Sequence, residues 1–151
     1  MERRIDTDPA GPRGAVDGWA LETGPLVTAA WLLVVLALAG AYGAGVLWPY
    51  YANDLDAVPL AQVASGAHDP KGLWPAVGGP AWLHDVGAWS LGALLLLLPS
   101  AVLSVFALLS ARRRARRGRV LVLALVLSVS VAVVAVQLSP LGRALASWVL
   151  D

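Results

Sequence analysis

Long apolar runs alternate with short polar segments along this chain. Three stretches, residues 23–53, 86–111 and 120–142, contain no Asp, Glu, Lys or Arg. A helix needs about 20 mainly apolar residues to cross the ~30 Å hydrocarbon core of a bilayer. The pattern therefore predicts an all-α integral membrane protein with three transmembrane helices.

The ends of the spans follow from prolines and aromatic residues. The first span is predicted at 25–48, because Pro25 suits a first helical turn. The second is predicted at 86–110 with a kink at Pro99, since proline removes a backbone hydrogen bond. The third is predicted at 120–139, where many valines are still helical because a lone strand in lipid leaves its backbone groups unpaired.

Polar segments flank these spans. Residues 1–24 are rich in Asp, Pro, Gly and Arg, and such a composition predicts a flexible tail. The apolar run continues to Trp48, past any cleavage point for a signal peptide, so a retained anchor is favoured. Residues 140–151 begin at a helix-breaking Pro140 and are predicted as a short interfacial segment.

The arginines predict the orientation. Residues 111–119 read ARRRARRGR, and loops rich in Arg and Lys stay in the cytoplasm. The N-terminus then lies in the cytoplasm and the C-terminus outside the cell membrane; the Ala- and Val-rich composition is typical of a high-GC bacterium. Anionic lipid is an expected partner, whereas nucleic acid is not, because so short a loop offers few docking surfaces. The arginines concerned are Arg112, Arg113, Arg114, Arg116, Arg117 and Arg119.

The segment 49–85 is predicted to be an ordered extracytoplasmic loop of about 37 residues, since loops of this size are functional or disordered and this one is rich in aromatic residues. It contains two His-Asp pairs. Imidazoles and carboxylates are ligands for divalent metals, so one hypothesis is a metal site here. Its candidate ligands are Asp54, Asp56, His68, Asp69, His84 and Asp85.

A structural interpretation of the same residues is favoured. The two histidines are far apart in sequence and three prolines lie between them. Asp69 precedes Pro70, and aspartate starts turns by accepting a hydrogen bond from its own backbone. Asp85 lies just before the second span, where a carboxylate can cap a helix. No cofactor is predicted; a divalent metal remains the alternative.

Two other residue sets point to membrane contacts. Aromatic residues at the span ends are predicted to anchor in the headgroup region; they are Trp48, Tyr50, Tyr51, Trp82, Trp89 and Trp148. Small residues in the second half of the first span allow a second helix to approach closely; they are Ala39, Gly40, Gly43 and Gly45.

The chain offers little chemistry for catalysis or conduction. It has no cysteine, which rules out disulfides and thiolate-ligated metals within it. Its spans contain no ionisable side chain, the usual mark of ion and proton paths. We therefore expect a non-enzymatic accessory or assembly subunit of a membrane complex, or a homo-oligomer. The alternatives are a ligand- or metal-binding loop, or a pore formed on oligomerisation and lined by Thr28, Ser128, Ser130 and Gln137.

Overall fold

The computed structural model describes residues 24–113 and 117–150. The regular elements in these ranges are all helical, which confirms the all-α prediction. Three helices are long and apolar enough to cross a membrane, at Pro25–Ala52, Leu94–Ala111 and Arg117–Leu138. Apart from Gly24, the predicted polar tail lies outside the described residues.

The first long helix continues beyond its predicted end at Trp48. Helix α1 covers Pro25–Tyr42, a π-helical segment follows at Gly43–Leu47, and α2 covers Trp48–Ala52. The N–H of Trp48 donates to the carbonyl of Gly43, five residues earlier. Such a widened turn lets a helix accommodate a proline, and Pro49 comes next.

The second predicted span consists of two helices. After the short helix α3, Leu60–Val63, α4 covers Trp82–Leu91 and α5 covers Leu94–Arg113, so the interruption lies at 92–93. There the N–H of Ala93 donates to the carbonyl of Ser90 at 3.0 Å, a tight three-residue turn. Glycine at position 92 is a poor helix former, which favours a break at this point. Pro99 lies inside α5.

The buried residues of the bundle core form a regular row along the second predicted span. α5 packs against α6 (Arg117–Leu138), which also contacts α1. From Ser90 in α4, across the interruption, to Ala111 in α5, buried residues recur at alternating spacings of three and four, as in left-handed helix pairs. We call this row of residues the seam. They are Ser90, Ala93, Leu97, Ser100, Ser104, Ala107 and Ala111. Facing elements contribute Val35, Leu123 and Val126.

A cap covers one end of the bundle. Residues 53–81 form two 3₁₀ turns, Leu55–Ala57 and Pro70–Gly72, and the short helix α3, Leu60–Val63. Helix α7, Pro140–Leu150, packs against α3 and α4. We call residues 53–81 and α7 the cap. The bundle end beneath it is the cap end, and the opposite end, where α1 begins, is the arginine end.

The cap has its own apolar core. Residues from the first helix, the connecting segment and α7 share this cluster, so α7 is an integral part of the cap as well as a candidate interfacial helix. The buried members are Tyr42, Val46, Tyr50, Leu55, Val63, Leu145, Trp148 and Val149.

Candidate functional site

The predicted metal ligands all lie in the cap or in the first turn of α4. Within the described part of the chain, no group of three or more His, Cys, Asp or Glu side chains could hold a metal ion. Asp54 and Asp56 are exposed on either side of Leu55. Asp54 has φ 54° and is the residue before the first 3₁₀ turn, so it marks a change of chain direction.

The first His-Asp pair has a structural arrangement. The Oδ1 of Asp69 accepts a hydrogen bond from the N–H of Lys71 at 2.8 Å and caps the turn Pro70–Gly72. This confirms the prediction that Asp69 starts a turn. The carbonyl of His68 accepts a hydrogen bond from Nε1 of Trp148 at 2.7 Å. The pair therefore shapes the segment 53–81 and ties it to α7 within the cap.

The second pair lies at the start of α4. Asp85 is in the first turn, where a carboxylate complements the helix dipole. It makes no side-chain capping bond: the N-cap is Ala81, because the helix begins earlier than predicted. His84 Nδ1 lies 3.8 Å from Asp85 Oδ1, and the Asp85 side chain is 78% exposed.

The predicted aromatic anchors divide into two groups. Trp48, Tyr51, Trp82 and Trp89 are exposed, with Trp89 at 85%. Tyr50 and Trp148 are 4% and 2% exposed and belong to the cap core. The structure thus places Tyr50 and Trp148 in internal packing, because α7 folds back over the end of the first helix.

Asn53 is a structural residue that the sequence analysis did not single out. Its Nδ2 donates to the carbonyls of Pro49 and Trp74 at 2.7 and 2.9 Å. Its Oδ1 accepts from the N–H of Trp74 at 3.2 Å. No local signal in the sequence marks it, because its partner Trp74 lies 21 residues further along the chain.

The small-residue face of the first helix is used in part within the chain. A Cβ added to Gly45 would lie 2.5 Å from the backbone N of Gly87 in α4, so these two backbones meet directly. Gly40 and Gly43 have nothing within 4 Å of such a Cβ, and Ala39 is half-buried. Only glycine fits at the Gly45–Gly87 crossing, whereas Gly40 and Gly43 face open space.

Beside this open face lies an apolar groove of about 370 Å³ at the cap end, which we call the cap-end groove. It runs between the π-helical segment and the first turn of α4. Its lining combines two small residues and Trp48 of the first long helix with one large side chain each from the cap and α4: Gly43, Ala44, Trp48, Trp74 and Leu83.

A larger groove of about 550 Å³ lies between α1 and α6 at the other end, and we call it the arginine-end groove. One charged residue, Arg119, is among its lining residues. The lining comprises Pro25, Thr28, Ala29, Leu32, Leu33, Gly118, Arg119 and Val122.

The predicted arginine loop is described in part. Arg112 and Arg113 belong to the last turn of α5, and Arg117 and Arg119 to the first turn of α6. Arg117 is exposed and Arg119 is half-buried. Arg114 and Arg116 lie outside the described residues.

The polar residues of the hypothetical pore do not share one surface. Thr28 is buried and its hydroxyl donates to the carbonyl of Gly24 at 3.1 Å. Ser130 and Gln137 face the interior of the bundle, and Gln137 Nε2 donates to the carbonyl of Ser90 at 3.3 Å. Ser128 is exposed. Three of these four side chains are therefore buried within the single chain.

The two apolar grooves lie at opposite ends of the first long helix, and both open on the bundle surface. Comparison with known proteins gives no relative from which to transfer a role: no family model, curated protein or solved structure matches the chain. A functional proposal therefore depends on the grooves and the faces beside them.

Proposed function

We propose that this chain is a non-catalytic accessory or assembly subunit of a membrane complex. It lies in the cell membrane with its N-terminus in the cytoplasm and its cap outside. It binds a transmembrane helix of a partner subunit along three small residues of its first helix, Gly40, Gly43 and Ala44. The cap-end groove receives side chains of that partner.

The observation that supports this proposal is the contrast between two sets of glycines on one helix. The backbone of Gly87 occupies the space where a Cβ of Gly45 would lie, whereas the corresponding space at Gly40 and Gly43 is open. Small residues favour helix association in lipid because they let backbones approach and gain van der Waals contacts. Glycine weakens a helix by about 1 kcal/mol relative to alanine. We therefore explain Gly40 and Gly43, which have open space beside them, by a partner helix that packs there.

The surroundings of this face also suit a helix. Ala44 and Trp48 are exposed one turn apart, and Trp48 is 64% exposed beside the groove. The small residues let a partner helix approach the backbone closely, and the neighbouring indole ring offers an aromatic surface to the side chains of that helix. Such complementary packing drives helix association in a bilayer.

The test uses leucine to fill the open face. The tagged full chain is extracted in mild detergent from its native membrane, and any stoichiometric partner is identified. We expect Gly40→Leu and Ala44→Leu to weaken retention of that partner by about ten-fold, because the larger side chains would overpack the contact with the partner helix. Ala132→Leu is the matched control, because Ala132 is an exposed small residue of α6.

Two outcomes would contradict the proposal. Equal retention by all three variants would show that the partner binds elsewhere. A monomeric wild-type chain without a stoichiometric partner would remove the basis for an accessory role. If the retained chain is a second copy of this protein, the face is a homo-oligomer interface and the assembly is of one chain type.

A further inference from the structure

We propose that the arginine-end groove binds one anionic phospholipid, with an acyl chain between α1 and α6 and the headgroup phosphate at Arg119. This inference does not depend on the partner proposed for the cap-end groove. It concerns the opposite end of the first helix and a different class of ligand.

The size and composition of the groove fit an acyl chain. Its volume of about 550 Å³ is within the range of small-molecule sites, which is roughly 300–1,000 Å³. Apart from Arg119 and Thr28, its lining residues are apolar or glycine, and the Thr28 hydroxyl is already bonded to Gly24. Nothing in the lining therefore opposes a hydrocarbon chain.

The length of the groove distinguishes an acyl chain from a partner helix. The α1 residues that line it run from Pro25 to Leu33, about 13 Å of helix at 1.5 Å per residue. That is close to one leaflet, or half of the ~30 Å hydrocarbon core. A transmembrane helix would be held over less than half its length there, whereas an acyl chain occupies a single leaflet.

The charge distribution favours an anionic headgroup. At the arginine end, Arg119 lines the groove and Arg117 is exposed nearby. A guanidinium can bind a phosphate through two parallel hydrogen bonds.

The position of Arg119 sets the depth of the headgroup. Arg119 is the last charged residue before the apolar run that starts at Val120. It therefore marks the boundary between headgroups and hydrocarbon along α6. Below a phosphate at this level, an acyl chain would run along the groove toward Leu33 and Val122, the lining residues furthest from the arginine end.

The test measures lipid binding to the delipidated full chain in detergent by native mass spectrometry. The probes are palmitoyl-oleoyl phosphatidylglycerol and phosphatidylcholine with the same acyl chains. We expect one tightly bound phosphatidylglycerol per chain and weaker binding of phosphatidylcholine. Arg119→Gln is expected to weaken phosphatidylglycerol binding about five-fold, the effect of one lost charge near a phosphate, while Arg119→Lys retains most of it.

Two further variants distinguish binding in the groove from general electrostatic attraction to the arginine end. Arg117→Gln removes the same charge at an exposed position that does not line the groove, and its binding should match the wild type. Ala29→Trp fills the groove at an exposed lining residue and should weaken both lipids.

The proposal is overturned if Arg117→Gln and Arg119→Gln have equal effects, because the attraction is then a property of the whole arginine end. It is also overturned if Ala29→Trp binds both lipids as tightly as the wild type does. Competition by soluble glycerophosphate would assign the site to a free phosphate ester and not to a lipid. If Ala29→Trp fails to fold, the three arginine variants still decide the question.

Discussion

At the residue scale, two tryptophans near span ends have opposite surroundings. Trp148 is 2% exposed in the cap core, whereas Trp89 is 85% exposed on α4. Both positions suit an interfacial anchor by sequence, since an indole ring is amphipathic. The difference arises from α7, which folds back so that the indole N–H of Trp148 reaches the carbonyl of His68.

We predict that Trp148→Phe destabilises the protein by about 1–2 kcal/mol. The change keeps an aromatic ring but leaves the carbonyl of His68 without its 2.7 Å donor, and a partly buried unsatisfied acceptor is costly. Thermal unfolding of the purified protein in detergent measures the effect. Trp89→Phe is the control and should shift stability by less than about 0.5 kcal/mol; equal shifts would show that the His68 contact adds nothing.

At the scale of elements, the first long helix and α4 meet through backbone atoms. The crossing of Gly45 and Gly87 lies inside the π-helical segment Gly43–Leu47. The absence of a Cβ on both residues is what allows α4 to lie against this segment. The same contact brings Leu83 to the edge of the cap-end groove, so helix packing and groove shape are linked.

We predict that Gly87→Ala destabilises the fold by about 1–3 kcal/mol, the usual cost of overpacking. The new methyl group would collide with the carbonyl of Gly45, which is backbone and cannot move aside. Gly43→Ala is the matched control: its methyl group meets open space, and alanine stabilises a helix by up to about 1 kcal/mol. Unfolding midpoints in detergent should move in opposite directions. Similar shifts for the two variants would contradict the close crossing.

The three long helices could be predicted from the sequence because length and apolar content determine them, but their packing faces could not be found in the same way. In a membrane helix the lipid-facing side is as apolar as the buried side, so hydrophobic periodicity is weak. The spacing of small residues from Ser90 to Ala111 is the signal that marks the seam. Likewise, contacts of Asn53 with Trp74 and of Trp148 with His68 join distant segments, and no local pattern specifies them.

At the scale of the whole molecule, charge and architecture are both asymmetric. The cap covers one end and contains the described aspartates Asp54, Asp56 and Asp69. The other end has an open groove beside Arg119. A chain with its arginines in the cytoplasm would present the cap to the outside and the arginine-end groove to the inner leaflet, where anionic lipids concentrate.

We predict that the cap faces outward, and the cysteine-free sequence allows a direct measurement. Ala61→Cys places a thiol on an exposed cap residue, and Arg117→Cys places one on an exposed residue of the arginine end. In intact cells a membrane-impermeant maleimide should label Ala61→Cys, and Arg117→Cys only after permeabilisation. The unsubstituted chain is the control for background labelling. The reverse pattern would invert the orientation and place the groove in the outer leaflet. Labelling of both variants in intact cells would show two opposite insertions, which would contradict a single orientation set by the arginines.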